Sequence, residues 1–161
     1  MEPYRLKRWR LGAVHFFTCA RPGRSESADQ PVPDEIVHCW VRGLPGPKTA
    51  IVSLLGSKPS GLSEYSFYSF AGGSDTAEER ASRPTFQEWL RISHPELGIP
   101  VRECPTRDFC QMPRETLAAA ASGINELLSA GRTVVLMDSG GETRTKTVCK
   151  YMGATEDPKT A

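Results

Sequence analysis

The sequence predicts an α/β fold with a mostly parallel central sheet flanked by helices. Three observations carry this. Short apolar runs bounded by turn residues alternate with segments of helical periodicity. A long amphipathic stretch at 114–130 leads directly into the compact apolar run Thr133-Val134-Val135-Leu136-Met137. The chain of 161 residues is 39% hydrophobic and 24% charged, enough to build one core without disulfide staples. The expectation is therefore a single domain over 1–161, with 1–11 and 155–161 as terminal extensions.

Taken in order, residues 12–18 read as a first strand. Residues 20–34 are rich in Pro, Gly and Ser and read as a surface loop. Residues 36–42 (Ile-Val-His-Cys-Trp-Val-Arg) read as a second strand, stopped by Gly43 and Pro45. Ala50 to Leu55 is a buried strand. Residues 56–84 form a long irregular excursion holding Tyr65, Phe67, Tyr68 and Phe70. In 85–93, Phe86, Trp89 and Leu90 share one helical face. Residues 99–103 return to strand. Pro113 suits the first turn of the helix 114–130, whose stripe is Leu117, Ala121, Ile124, Leu127 and Leu128, and Gly131 ends it. After strand 133–137 comes a glycine loop, and 145–152 form a last helix.

Composition excludes several functions. A net charge of +1 argues against a nucleic-acid protein run by bulk electrostatics. No apolar run approaches the roughly 18 residues that span a bilayer. The basic N-terminus (Arg5, Lys7, Arg8, Arg10) reads as a solvated end. The apolar stretch after it, Leu11 to Phe17, lacks a signal-peptide cleavage site. Five cysteines, odd in number and without a CxxC pair, argue against a disulfide framework or zinc site. Reduced thiols suit a cytoplasmic protein. His15, His38 and His94 are scattered and read as core or surface residues rather than metal ligands.

The chemistry concentrates in Met137-Asp138-Ser139-Gly140-Gly141-Glu142-Thr143-Arg144-Thr145. A strand, a tight glycine loop and a helix start can point several backbone N–H groups at one anion, aided by the positive helix end. Arg144 can add a bidentate fork to a phosphate. The nucleotide loop GxxxxGK[ST] is nearly matched by Gly140 to Thr147, but Thr145 stands where glycine is required. The segment resembles more closely the loop HCxxGxxR[ST] of the cysteine-dependent protein tyrosine and dual-specificity phosphatases. Gly141, Arg144 and Thr145 fall on its glycine, its phosphate-binding arginine and its hydroxyl residue without a gap. The resemblance covers about 36–152. It implies a phosphatase-like fold, with Asp108 in the place of the family's general acid and Ala50 to Leu55 in that of an early core strand.

The departures are chemical. Asp138 stands at the nucleophile position and Met137 replaces the preceding histidine. A carboxylate is a poorer nucleophile than a thiolate with lowered pKa. It can also fold into the amide nest and bind Arg144 as a built-in anion. Phosphatases that form an aspartyl-phosphate need a second aspartate two residues on, where this chain has Gly140. Neither Cys110 nor Cys149 is placed to substitute. Glu142 adds negative charge to the loop, and solvent exposure or an i, i+4 pair with Lys146 would accommodate it.

What the resemblance implies is a phosphatase-like domain with impaired catalysis. Asp138, Arg144, Asp108 and Thr145 are the catalytic positions, and Ser139, Gly140, Gly141, Glu142, Thr143 and Arg144 are the phosphate-binding set. The partner is a phosphorylated protein or small phosphorylated ligand, with no cofactor, metal, nucleic acid or membrane. The alternatives are an active phosphomonoester hydrolase, native or mutated at position 138, and a non-catalytic interaction module.

Overall fold

The computed structural model describes residues 3–23, 34–55, 86–106 and 111–158. Six strands form one sheet: β1 (Lys7–Leu11), β2 (Val14–Ala20), β3 (Thr49–Ser53), β4 (Val101–Glu103), β5 (Thr133–Asp138) and β6 (Thr155–Glu156). Among the described residues four helices accompany them: α1 (Asp34–Arg42), α2 (Phe86–Ser93), α3 (Arg114–Ser129) and α4 (Thr143–Met152). The spatial order is β4-β3-β5-β2-β1-β6. β4, β3, β5 and β2 run parallel, whereas β1 pairs antiparallel with β2 and with β6.

The period-2 alternation of buried strands sorts their side chains into two layers. Ala50, Val52, Val134 and Leu136 join Ala120, Ile124, Leu127 and Val148 on the face covered by α3 and α4. Ile51, Val135 and Met137 join Val37, Trp40, Phe86 and Leu90 on the face covered by α1 and α2. Both faces of β3 and β5 are covered, which is why the middles of these runs, Ala50–Val52 and Val134–Met137, are apolar throughout rather than alternating.

Three expectations are corrected. Residues 36–42 form helix α1, not a strand. The β-branched content suggested a strand, yet Ile36, Val37, Trp40 and Val41 recur at helical spacing, and Val37 and Trp40 are buried while Ile36 and Val41 pack beside them. The supposed terminal extensions contain strands β1 and β6, paired at Trp9↔Glu156 and Arg10↔Thr155. The basic N-terminus is not simply solvated. Arg8 donates from Nε and Nη2 to Asp157 Oδ2 at 3.0 and 2.6 Å, and Asp157 is buried. The remaining elements stand within a few residues of their expected bounds. The aromatic excursion at 56–84 lies outside the described residues, as does most of the loop expected over 20–34. No helix among the described residues is long and apolar enough to cross a membrane.

Candidate functional site

Parallel strands bring their C-terminal ends to one edge of the sheet, where open α/β folds place ligands. Here that edge gathers Ala20 at the end of β2 with Arg21 after it, Leu54 after β3, Thr106 beyond β4 and the loop 138–144 that starts on the last residue of β5. Ordinary sheet pairing fixes their positions. The Leu54 N–H donates to the Met137 carbonyl at 2.8 Å, and the Arg21 N–H to the Asp138 carbonyl at 2.9 Å.

Asp138, the last residue of β5, is 2% exposed. Its carboxylate turns into its own loop. The Gly141 N–H donates to Oδ1, and the Thr145 N–H donates to Oδ2 at 3.0 Å. These two amides, one just before the N-cap of α4 and one in its first turn, thereby gain a charged acceptor. Gly141 makes the turn possible. Its φ is +69°, and a Cβ there would lie 2.6 Å from the Cys19 carbonyl carbon and closer still to the Ala20 nitrogen.

Arg144 is 3% exposed, and among the described residues its guanidinium hydrogen-bonds to backbone carbonyls and a hydroxyl rather than to Asp138. Its Nη1 donates to the Leu54 carbonyl at 2.9 Å and to the Thr106 carbonyl and Oγ1 at 3.2 and 3.3 Å. Thr106 Oγ1 itself donates to the Leu54 carbonyl at 2.9 Å. The guanidinium is thus anchored across the ends of β3 and β4. Thr145 is completely buried, and among the described residues its hydroxyl has no hydrogen-bond partner.

Glu142 lies on the loop's outer side. It accepts from Lys146 Nζ at 3.0 Å, the expected i, i+4 pair, and from Arg5 Nη1 at 2.9 Å. The Lys146 hydrogen bond and charge, with Arg5 adding, hold its carboxyl below the ordinary carboxylate range. Arg5 Nη1 also donates to the Gly140 carbonyl at 3.0 Å. Arg5 has φ +56°, a conformation that is uncommon for a non-glycine residue. The N-terminal segment therefore straps the loop from outside.

The structure brings Asp138, Gly141, Glu142, Arg144 and Thr145 together, and places Ser139, Gly140 and Thr143 in the same turn. Asp108 and Cys110 lie outside the described residues. Sequence reasoning missed Leu54, Thr106, Arg5 and the buried Arg21. Leu54 acts through its backbone carbonyl, which leaves no residue-type signal, and Thr106 through its carbonyl and its hydroxyl. Arg21 directly after an apolar strand was the one readable clue.

No described cysteine offers a thiolate to this site. Cys149 faces the core from α4, where burial, with Glu156 adding, pushes its thiol up to about 12. Cys19 is raised by burial and by the Asp138 charge. Each is raised above an ordinary value of 9.0. The unfolded chain therefore loses these protons first. The contribution of the protonated Cys149 thiol to stability is whole below pH 9 and is lost as pH rises from about 9 to about 12. In the native protein at pH 8, Cys19 and Cys149 should resist iodoacetamide and react only after unfolding, as mass spectrometry of tryptic peptides would read. Native labelling of either would contradict the burial described.

No family model matches the chain, and no curated protein matches it. Among solved structures it is similar to the crystal structure of kinase associated phosphatase (KAP) carrying a substitution of the catalytic site cysteine to a serine. The TM-score is 0.57 at 13% identity, covering 93% of this chain and 72% of that one. The likeness is one of fold. It bears out the expected phosphatase-type architecture, a mostly parallel sheet flanked by helices.

Proposed function

We propose that this chain is a phosphatase-like domain of the protein tyrosine and dual-specificity type that binds phosphoryl groups weakly at loop 138–144 without hydrolysing them. The partner is a phosphorylated protein or a small phosphorylated ligand. The observation that carries this reading is the Asp138 carboxylate, which accepts the N–H groups of Gly141 and Thr145 inside its own loop. The resemblance puts a nucleophilic cysteine at that position. A carboxylate already engaged with two amides is a poor attacking group, and the raised thiols of Cys19 and Cys149 supply no substitute.

The same carboxylate opposes an incoming phosphate. Two like charges at ~4 Å and an effective dielectric of ~20 repel by about 4 kcal/mol. Glu142, held in its charged form by Lys146 and Arg5, adds to that field. Opposing it are the cationic Arg144 and the positive start of α4. The balance favours low affinity over none. The non-catalytic interaction module is the second reading, supported by the same carboxylate standing in as a permanent anion.

Oxyanion binding separates the two. Inorganic phosphate or tungstate, titrated by calorimetry, should bind the Asp138→Ser variant at least roughly tenfold more tightly than the unchanged protein, since about 1.4 kcal/mol of relieved repulsion gives that factor. Equal weakness in both would favour the module. Turnover of an aryl phosphate by the unchanged protein would defeat the non-hydrolytic reading outright.

A further inference from the structure

On the opposite layer from the loop helix α4, three metal-ligating side chains meet that the sequence holds far apart. His38 lies in α1. His94 follows α2, and Glu96 lies in the short 3-10 helix Pro95–Leu97 that comes next. One donor atom from each lies within 4.8 Å of the others. His94 Nδ1 is 3.5 Å from Glu96 Oε1. The two imidazoles meet edge to face with centroids 4.5 Å apart.

We infer that His38, His94 and Glu96 form a binding site for a divalent transition-metal ion, zinc by preference, which clips α1 to the corner after α2. The ligand set is two imidazoles and one carboxylate, a combination suited to zinc with a fourth position left for water. Tetrahedral zinc with bonds of about 2.0–2.1 Å needs donors roughly 3.3–3.4 Å apart. The His94–Glu96 separation already meets that, and small side-chain rotations close the others. His94 is 5% exposed, so its ring is held by packing rather than by solvent. Glu96 is 60% exposed. A cleft of about 360 Å³, lined by Gln87, Leu90, Arg91, His94 and Val101, borders the site on its His94 side. The site is separate from the Asp138 loop and does not depend on the phosphoryl reading.

The test uses the full chain, stripped with chelator and titrated with zinc alone. Calorimetry should show one strong equivalent. Differential scanning should show a rise in Tm of roughly 5 °C or more at a hundredfold excess of zinc over its Kd. Cobalt in place of zinc should give the intense visible bands of a tetrahedral site. His38→Gln, His94→Gln and Glu96→Gln should each weaken zinc by at least about tenfold, the loss that even outer-sphere partners produce. His38→Gln and Glu96→Gln alter less buried groups and keep the test sharp if His94→Gln fails to fold. Absence of uptake, or uptake that any one of these variants leaves unchanged, overturns the three-ligand site.

Discussion

Asp138→Cys should convert this protein from one with no measurable aryl-phosphate turnover into a hydrolase, with a rate at least about 100-fold above the unchanged chain. The expectation follows from what surrounds position 138. The Gly141 and Thr145 N–H groups that now satisfy a carboxylate would face a sulfur instead. Backbone donors and a nearby cation lower a thiol's pKa and create the attacking thiolate. The completely buried Thr145 hydroxyl, whose hydrogen bond is unmade among the described residues, becomes available to that sulfur. Arg144 is already held by Leu54 and Thr106 and needs no new support to meet a phosphate. A burst of product matching the enzyme concentration, followed by slower turnover, would identify a covalent phospho-cysteine step. A folded Asp138→Cys variant with neither burst nor turnover would show that the loop has lost the geometry for attack, and would favour the interaction module.

Gly141→Ala should be the most damaging single-methyl change in the described chain, with a loss of roughly 2–5 kcal/mol. Two costs combine. A non-glycine residue at φ +69° costs about 1–2 kcal/mol. A Cβ pressed against the backbone of Cys19 and Ala20 adds an overpacking cost of about 1–3 kcal/mol, because strand backbone in mid-sheet cannot swing aside. Gly131→Ala is the control. Its φ is +79°, yet nothing lies within 4 Å of the added carbon, so only the first cost applies. Thermal melts of the two variants should differ by several degrees, with Gly141→Ala lower. Equal melting temperatures would mean that the loop does not press on β2 as described. Because Gly141 also donates to Asp138, the variant should disturb the site as well as the fold.

Much of the fold was legible because local pattern and tertiary role agreed. Strand 133–137, helix 114–130 and helix 85–93 each carry the periodicity of their final environment. The first is buried on both faces, helix 114–130 buries Ala121, Ile124 and Leu127 with Leu117 and Leu128 packed beside them, and helix 85–93 buries Phe86 and Leu90. The failures have the opposite cause. In α1 the β-branched residues Ile36, Val37 and Val41 favour a strand locally, and the helical spacing prevails because Val37 and Trp40 must pack on Ile51 and Met137. Strand β1 is short and charged, and only pairing with β2 and β6 makes it a strand.

By itself the sequence determined that a strand, a glycine turn and a helix meet at Asp138, and that a carboxylate sits there with Arg144 six residues on, in the first turn of the helix. Those facts are local, fixed by residue type and spacing. Where the two charges point was decided by tertiary structure. Arg144 turned to the carbonyls of Leu54 and Thr106, Asp138 turned to amides of its own loop, and Arg5 arrived from the other end of the chain. A buried charge takes whatever partner the packed backbone offers, and backbone carbonyls and amides carry no residue-specific mark in the sequence.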